Sequence, residues 1–190
     1  MGGGRFASPT EPSEADDRRA DPEADPTEVA RTICLRLLTV RARSRAELSE
    51  ALAARGVPES AATPVLDRLA GVGLVDDQAF AEGYVRSRHR DRGLAAREIS
   101  RQLRDRGVEE SVITAAVAEV DSAAEAEAAR QLVMRKLRSM SSLAPEVKTR
   151  RLVGMLARKG YSSSMAFQVV REAVGGFSEQ AVDEETAWLA

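Results

Sequence analysis

The chain has 190 residues, of which 43% are hydrophobic, 31% charged and only 4% aromatic, enough for one ordinary domain or a few small helical units. No run of about 18 apolar residues is present to span a membrane. The polar start Met1-Gly-Gly-Gly-Arg has no apolar core of the kind a secretory signal needs, and one cysteine, Cys34, permits no internal disulfide, so a cytoplasmic protein is expected. The net charge of −2 hides an asymmetry: residues 1–28 carry three basic and eight acidic side chains, residues 29–170 carry 24 and 17, and residues 171–190 carry one and five. A basic body between acidic ends predicts a polyanionic or acidic partner for the body.

Residues 1–26 mix Gly, four prolines, Asp and Glu with little apolar surface, so they are expected to be disordered. Residues 27–73 read as a first three-helix unit. Val29, Ile33, Leu37 and Val40 make one helical stripe. Ser44 and Glu47 suggest a capping box that opens a second helix carrying Leu48 and Leu52, with Gly56 ending it. A third helix spans about Glu59 to Ala70, although Thr63-Pro64 offers an alternative start.

Residues 74–121 repeat the plan. Asp76 or Asp77 caps a helix carrying Phe80, Tyr84 and Val85, and Gly93 breaks it. A helix from about Ala95 carries Ile99 and Leu103 and stops at Gly107, and Val112, Ile113, Ala116, Val117 and Val120 line the last one. In residues 122–175, Ser122 and Glu125 suggest another capping box before Leu132, Val133 and Leu137. A loop near Ser139 to Ala144 precedes Pro145, which suits the first turn of a helix bearing Leu152 and Leu156. Met165, Val169 and Val170 mark the last helix, and residues 176–190 form an acidic tail expected to be disordered.

These units are in register. Leu48, Ile99 and Leu152 are each followed four residues later by Leu and eight later by Gly56, Gly107 and Gly160, with Ser60, Ser111 and Ser164 four beyond the glycine. Three matches of this kind define a tandem repeat. The predicted fold is therefore all-α: three tandem three-helix repeats in an elongated, curved rod with disordered acidic termini. No apolar stripe is left over to demand a partner copy, so a monomer is expected.

Basic side chains concentrate in the second and third units. Residues 86–106 hold eight arginines against three acids, and residues 130–160 hold nine basic side chains against Glu146 alone. At 100° per residue Arg97, Arg101 and Arg104 share an arc of about 60°, and Lys148, Arg151 and Arg158 one of about 80°. With Arg86, Arg88, Lys136, Arg138 and Lys159 they are the candidate contact residues. Arginine's planar fork suits carboxylates and phosphates alike. Nothing recommends an enzyme. His89 is the only histidine and sits among arginines, Cys34 lies between Ile33 and Leu35, and there is no metal-ligand spacing, phosphate-binding glycine loop or cofactor motif.

At Gly73-Leu74-Val75-Asp76-Asp77-Gln78-Ala79-Phe80-Ala81 the sequence resembles the RecX family, whose central unit opens with a Gly-Leu-aliphatic-Asp/Asn-Asp-x-x-Phe/Tyr-Ala pattern. The Arg-rich helix at Tyr84-Val85-Arg86-Ser87-Arg88 and the Gly93, Ile99, Leu103, Gly107 series match as well, and the resemblance covers about residues 29–174. It implies three tandem three-helix units and a regulator, mainly negative, of the RecA recombinase. Such a protein would lie in the groove of the RecA–DNA filament, touching RecA and in some cases single- or double-stranded DNA without sequence specificity. It would reduce ATP hydrolysis, strand exchange and filament growth. The alternative is a helix-turn-helix-like transcriptional regulator. Against it, two of the three exposed third-helix starts are acidic, at Glu59 and at Glu109-Glu110. A pure scaffold would give no reason to concentrate arginine centrally.

Overall fold

The computed structural model describes the backbone of residues 25–187 and the side chains of residues 25–175. The N-terminal tail expected to be disordered lies outside the described residues except for Asp25 and Pro26. Of the acidic tail from 176 onward only helical backbone to Ala187 is described. Every regular element among the described residues is helical. Nine α-helices follow in order: α1 Pro26–Val40, α2 Arg45–Ala53, α3 Glu59–Gly71, α4 Asp77–Arg92, α5 Ala96–Arg104, α6 Glu110–Val117, α7 Ser122–Leu137, α8 Pro145–Arg158 and α9 Ser163–Ala187. A 3-10 turn, Arg138–Met140, precedes α8. Gly56, Gly107 and Gly160 all have positive φ, at 77°, 67° and 90°, so the repeat read from their spacing is also a repeat of backbone conformation.

By packing, the chain divides into two compact units. The first takes the described residues up to Arg43 together with Glu47–Val75. Its core joins Ala30 and Cys34 of α1, Leu48 and Leu52 of α2, and Ala62, Val65, Leu66 and Leu69 of α3. The α1 face differs from the expected stripe. Ala30 and Cys34 are fully buried, Val29, Ile33 and Leu37 are half-buried, and Val40 is 79% exposed. Small side chains mark the line of closest helix approach and the larger ones flank it, so a stripe drawn through the largest residues is rotated from the true contact line. α3 begins at Glu59 and runs through Pro64, which stands exposed, so the later start at Thr63-Pro64 is not used. The Ala61 and Ala62 amides bond the Pro58 carbonyl, both at 3.0 Å, and set the first turn.

The second unit comprises Ser44–Ala46 and everything described from Asp76 onward. α4 to α6 enclose Phe80, Val85, Ile99, Leu103, Ile113 and Ala116. α7 to α9 enclose Val133, Leu137, Leu152, Leu156, Ala166, Val169 and Val170, and Ala95 from the α4–α5 connection joins this core. The two Asp residues of the central motif divide their work. The Asp76 carboxylate accepts from the Ala79 amide at 2.9 Å and caps α4, while the Asp77 carboxylate accepts from the Arg45 amide at 2.8 Å. The Ser44 hydroxyl donates to the Arg106 carbonyl at 2.6 Å.

The α4–α5 connection is bonded to the α8–α9 turn, and the start of α5 to α7. The Ala95 amide donates to the Lys159 carbonyl at 3.0 Å, and the buried Tyr161 hydroxyl donates to the Gly93 carbonyl at 3.1 Å. α7 is not opened by the expected Ser122–Glu125 capping box. Asp121 is its N-cap, accepting from Ala124 at 2.7 Å. This frees Glu125 to accept from the Ala96 amide at 2.6 Å, at the start of α5, whose own N-cap Ala95 offers no side-chain acceptor. Glu125→Ala is expected to cost about 1–2 kcal/mol in urea unfolding, as loss of an N-cap does. The exposed Glu127→Ala is expected to stay within about 0.5 kcal/mol.

Candidate functional site

Burial of Ile99 and Leu103 turns the opposite side of α5 outward, and Arg97, Arg101 and Arg104 are all exposed there. Two of the three are already committed. The Arg101 guanidinium donates to Glu98 at 2.9 and 2.7 Å and to Asp105 at 2.8 Å. Arg104 forks onto Glu110 at 2.7 and 2.6 Å. Arg86 lies 3.9 Å from Glu82. Arg88 is half-buried, its guanidinium 4.6 Å from the Tyr84 ring centroid, and Arg106 lies 4.7 Å from the same ring. The Tyr84 hydroxyl donates to Gln102 at 2.7 Å, and Gln102 donates to Glu98 at 2.7 Å. Arg97 alone on this ridge has no partner among the described residues.

Hydrogen bonds from Arg101 and Gln102 hold the Glu98 carboxyl at about 2, below the usual glutamate value near 4.3. A depressed carboxylate pKa stabilises the fold above the unfolded-state value, and that contribution is lost as pH falls towards the folded-state value. The thermal midpoints of the intact protein and Glu98→Gln are therefore expected to differ most near pH 6. The gap should narrow as pH drops from about 5 towards 2; a constant gap would mean that Glu98 acts by shape alone.

The third repeat is different. α7 buries Ala129, Leu132, Val133 and Leu137, and α8 buries Leu152 and Leu156. Lys136, Arg138, Arg151 and Arg158 are exposed, and Lys148 and Lys159 are half-buried. Of the nine basic side chains in residues 130–160 only Arg130 is ion-paired among the described residues, with Glu127 at 3.1 Å. The other eight, which include Arg135 and Arg150, have no carboxylate partner among the described residues. Arg135 and Arg150 were not among the residues singled out from the sequence, and neither was Arg92, the exposed last residue of α4. Burial pushes the Lys159 ammonium down, and Arg135 and Arg92 push it the same way.

The remaining reactive groups are used structurally. Cys34 is fully buried, and burial pushes its thiol up. His89 Nδ1 lies 3.0 Å from the Leu94 carbonyl, beside the α4 C-cap. Among the described residues no three His, Cys, Asp or Glu side chains gather where they could hold a metal ion, and no helix is long and apolar enough to cross a membrane.

Three family models match in succession, described as the first, second and third three-helix domains of RecX, over residues 30–69, 76–117 and 123–170. A "Regulatory protein RecX" from Streptomyces coelicolor is 53% identical over 156 residues, 82% of this chain and 83% of that one. The protein of the same name from Mycolicibacterium smegmatis is 51% identical over 166 residues, 85% and 88% of the two chains. The crystal structure of RecX from Lactobacillus salivarius is similar in fold, with a TM-score of 0.69 at 20% identity, over 78% of this chain and 96% of that one. Three consecutive domains matched in order, with half the residues shared over most of the length, leave one assignment: the chain belongs to the RecX family.

Proposed function

We propose that this protein is a non-enzymatic regulator of RecA, acting as a cytoplasmic monomer that binds the RecA–DNA filament and restrains ATP hydrolysis, strand exchange and filament growth. Membership in a family of regulatory proteins supports the reading. The observation that carries it is the charge of the third repeat, where eight cations on α7, α8 and the segments after them have no carboxylate partner among the described residues. A surface of this kind gains free energy when it meets phosphates or acidic side chains, and it does so without reading a base sequence. The transcriptional-regulator reading is weaker. The α6 start that would have to enter a groove carries Glu109 and Glu110, both exposed, and Glu110 is held by Arg104.

The test is RecA's single-strand-dependent ATP hydrolysis, followed while the intact protein is titrated in. Inhibition complete well below one protein per RecA is the expected result. No inhibition across a range of salt and magnesium would remove the filament reading.

A further inference from the structure

α9 is far longer than its neighbour in the third repeat. It has 25 residues against 14 in α8, and the described core of the repeat ends at Val174. Helical backbone continues for twelve residues after Gly175, starting from the Gly175–Gly176 pair. So short a helix with glycine at its base is marginal in water unless it lies against something. Before Gly175 the same helix has an uncovered face. Ser164, Gln168, Arg171 and Gly175, three and four residues apart, are all exposed, and Phe167 beside them is 57% exposed. Hollows of about 650 and 670 Å³ flank Phe167 on the side of α8. One is lined by Pro145, Val174 and Gly175, the other by Arg150 and Val153. The expectation that no apolar surface is left over for a partner copy therefore fails at Phe167.

We infer that this face takes the α9 extension of a second copy of the chain, the two α9 helices crossing antiparallel at Gly175 so that each covers the other. Gly175 is the thirteenth of the 25 residues, so a pair centred there overlaps from end to end. A Cβ added at Gly175 would meet nothing within 4 Å, so the crossing point is open, and glycine lets two backbones approach closely there. Charge also fits. Residues 176–187 carry Glu179, Asp183, Glu184 and Glu185 and no basic side chain. The face they would cover holds Arg150 and Arg171, neither with a carboxylate partner among the described residues. Of the acids beside it, Glu172 is bonded by Gln168 at 3.1 Å, and Glu146 sits in the first turn of α8, where the helix start favours it. The antiparallel register sets position 171 of one copy beside position 179 of the other. The inference goes beyond the filament reading: pairing covers Arg150, so the pair is a resting state from which the acting monomer is released.

Sedimentation velocity on the full chain, without RecA, should show a monomer passing into a dimer between roughly 1 and 200 µM, the range in which weak pairs dissociate. Gly175→Leu improves helix propensity but holds two backbones apart, and should raise the dissociation constant at least about tenfold. Arg171→Glu alone and Glu179→Arg alone should each weaken pairing by about tenfold or more, because two attractive contacts per pair become repulsive. Mixed in equal amounts, these two single variants should pair about as tightly as the intact chain, since each contact between positions 171 and 179 again joins opposite charges. Misfolding cannot imitate that recovery, because neither variant alone would show it. An intact chain that stays monomeric throughout the range overturns the inference. So do single variants that pair like the intact chain, which would place the dimer contact on another face, and so does a mixture that pairs no more tightly than its components.

Discussion

Gly160→Ala is expected to destabilise the second unit by about 3–5 kcal/mol and to lower its thermal midpoint by on the order of 10 °C. Two costs add. Gly160 has φ +90°, a conformation that disfavours any residue with a Cβ, at roughly 1–3 kcal/mol. The added methyl would also lie 2.5 Å from the Glu98 Cβ and 2.9 Å from the Glu98 backbone nitrogen. Neither atom is the movable end of a long side chain, so α5 and the α8–α9 turn must separate, and overpacking of this kind costs a further 1–3 kcal/mol or so. Gly56→Ala is the internal comparison. Gly56 has φ +77°, but nothing lies within 4 Å of its added Cβ, so only the conformational cost of about 1–2 kcal/mol should appear. Equal losses at the two positions would show that Gly160 and Glu98 are not in contact in solution.

The conformational half of that result was legible in the sequence and the steric half was not. Glycines eight residues beyond Leu48, Ile99 and Leu152 predict left-handed helix ends, because local spacing alone demands them. What approaches such an end from another repeat leaves no trace in local spacing. The capping of α7 shows the same limit. Ser122 and Glu125 satisfy a capping-box pattern, yet Asp121 does the capping and Glu125 serves the start of α5. A carboxylate is worth more on an orphan amide that has no local acceptor than as a second contact on a helix already capped. Such a competition between repeats is decided by tertiary placement.

The basic residues divide in a similar way. Their exposure followed from helical periodicity, since burial of Ile99, Leu103, Leu152 and Leu156 fixes the outward faces of α5 and α8. Their availability did not follow. The pairing of Arg101 with Glu98 and Asp105 lies at three- and four-residue spacings and could have been read from the sequence. The pairing of Arg104 with Glu110 crosses the Gly107 turn and depends on how that turn folds. Arg88 was grouped with surface cations, but it packs on Tyr84. The bond from the Lys159 ammonium to the Arg92 carbonyl joins the ends of α8 and α4, which no linear pattern encodes.

That division leads to an expected difference between two sets of variants in the RecA hydrolysis assay. Arg138→Ala/Arg151→Ala/Arg158→Ala should raise the concentration needed for half-inhibition by tenfold or more. Three lost charge contacts at roughly 0.5–1 kcal/mol each amount to about 1.5–3 kcal/mol, or about 10- to 150-fold. Arg101→Ala/Arg104→Ala should change it by less than about threefold. Each of those arginines must surrender Glu98, Asp105 or Glu110 before it can engage a partner, and exchanging one exposed ion pair for another gains little. The third-repeat variant should also flatten the salt dependence of inhibition, because it removes cations that release counterions on binding. Circular dichroism should find both sets fully helical, since all five side chains are exposed. If the central double variant were instead the more defective, the partner would have to displace the α5 carboxylates, and the contact face would be the second repeat rather than the third.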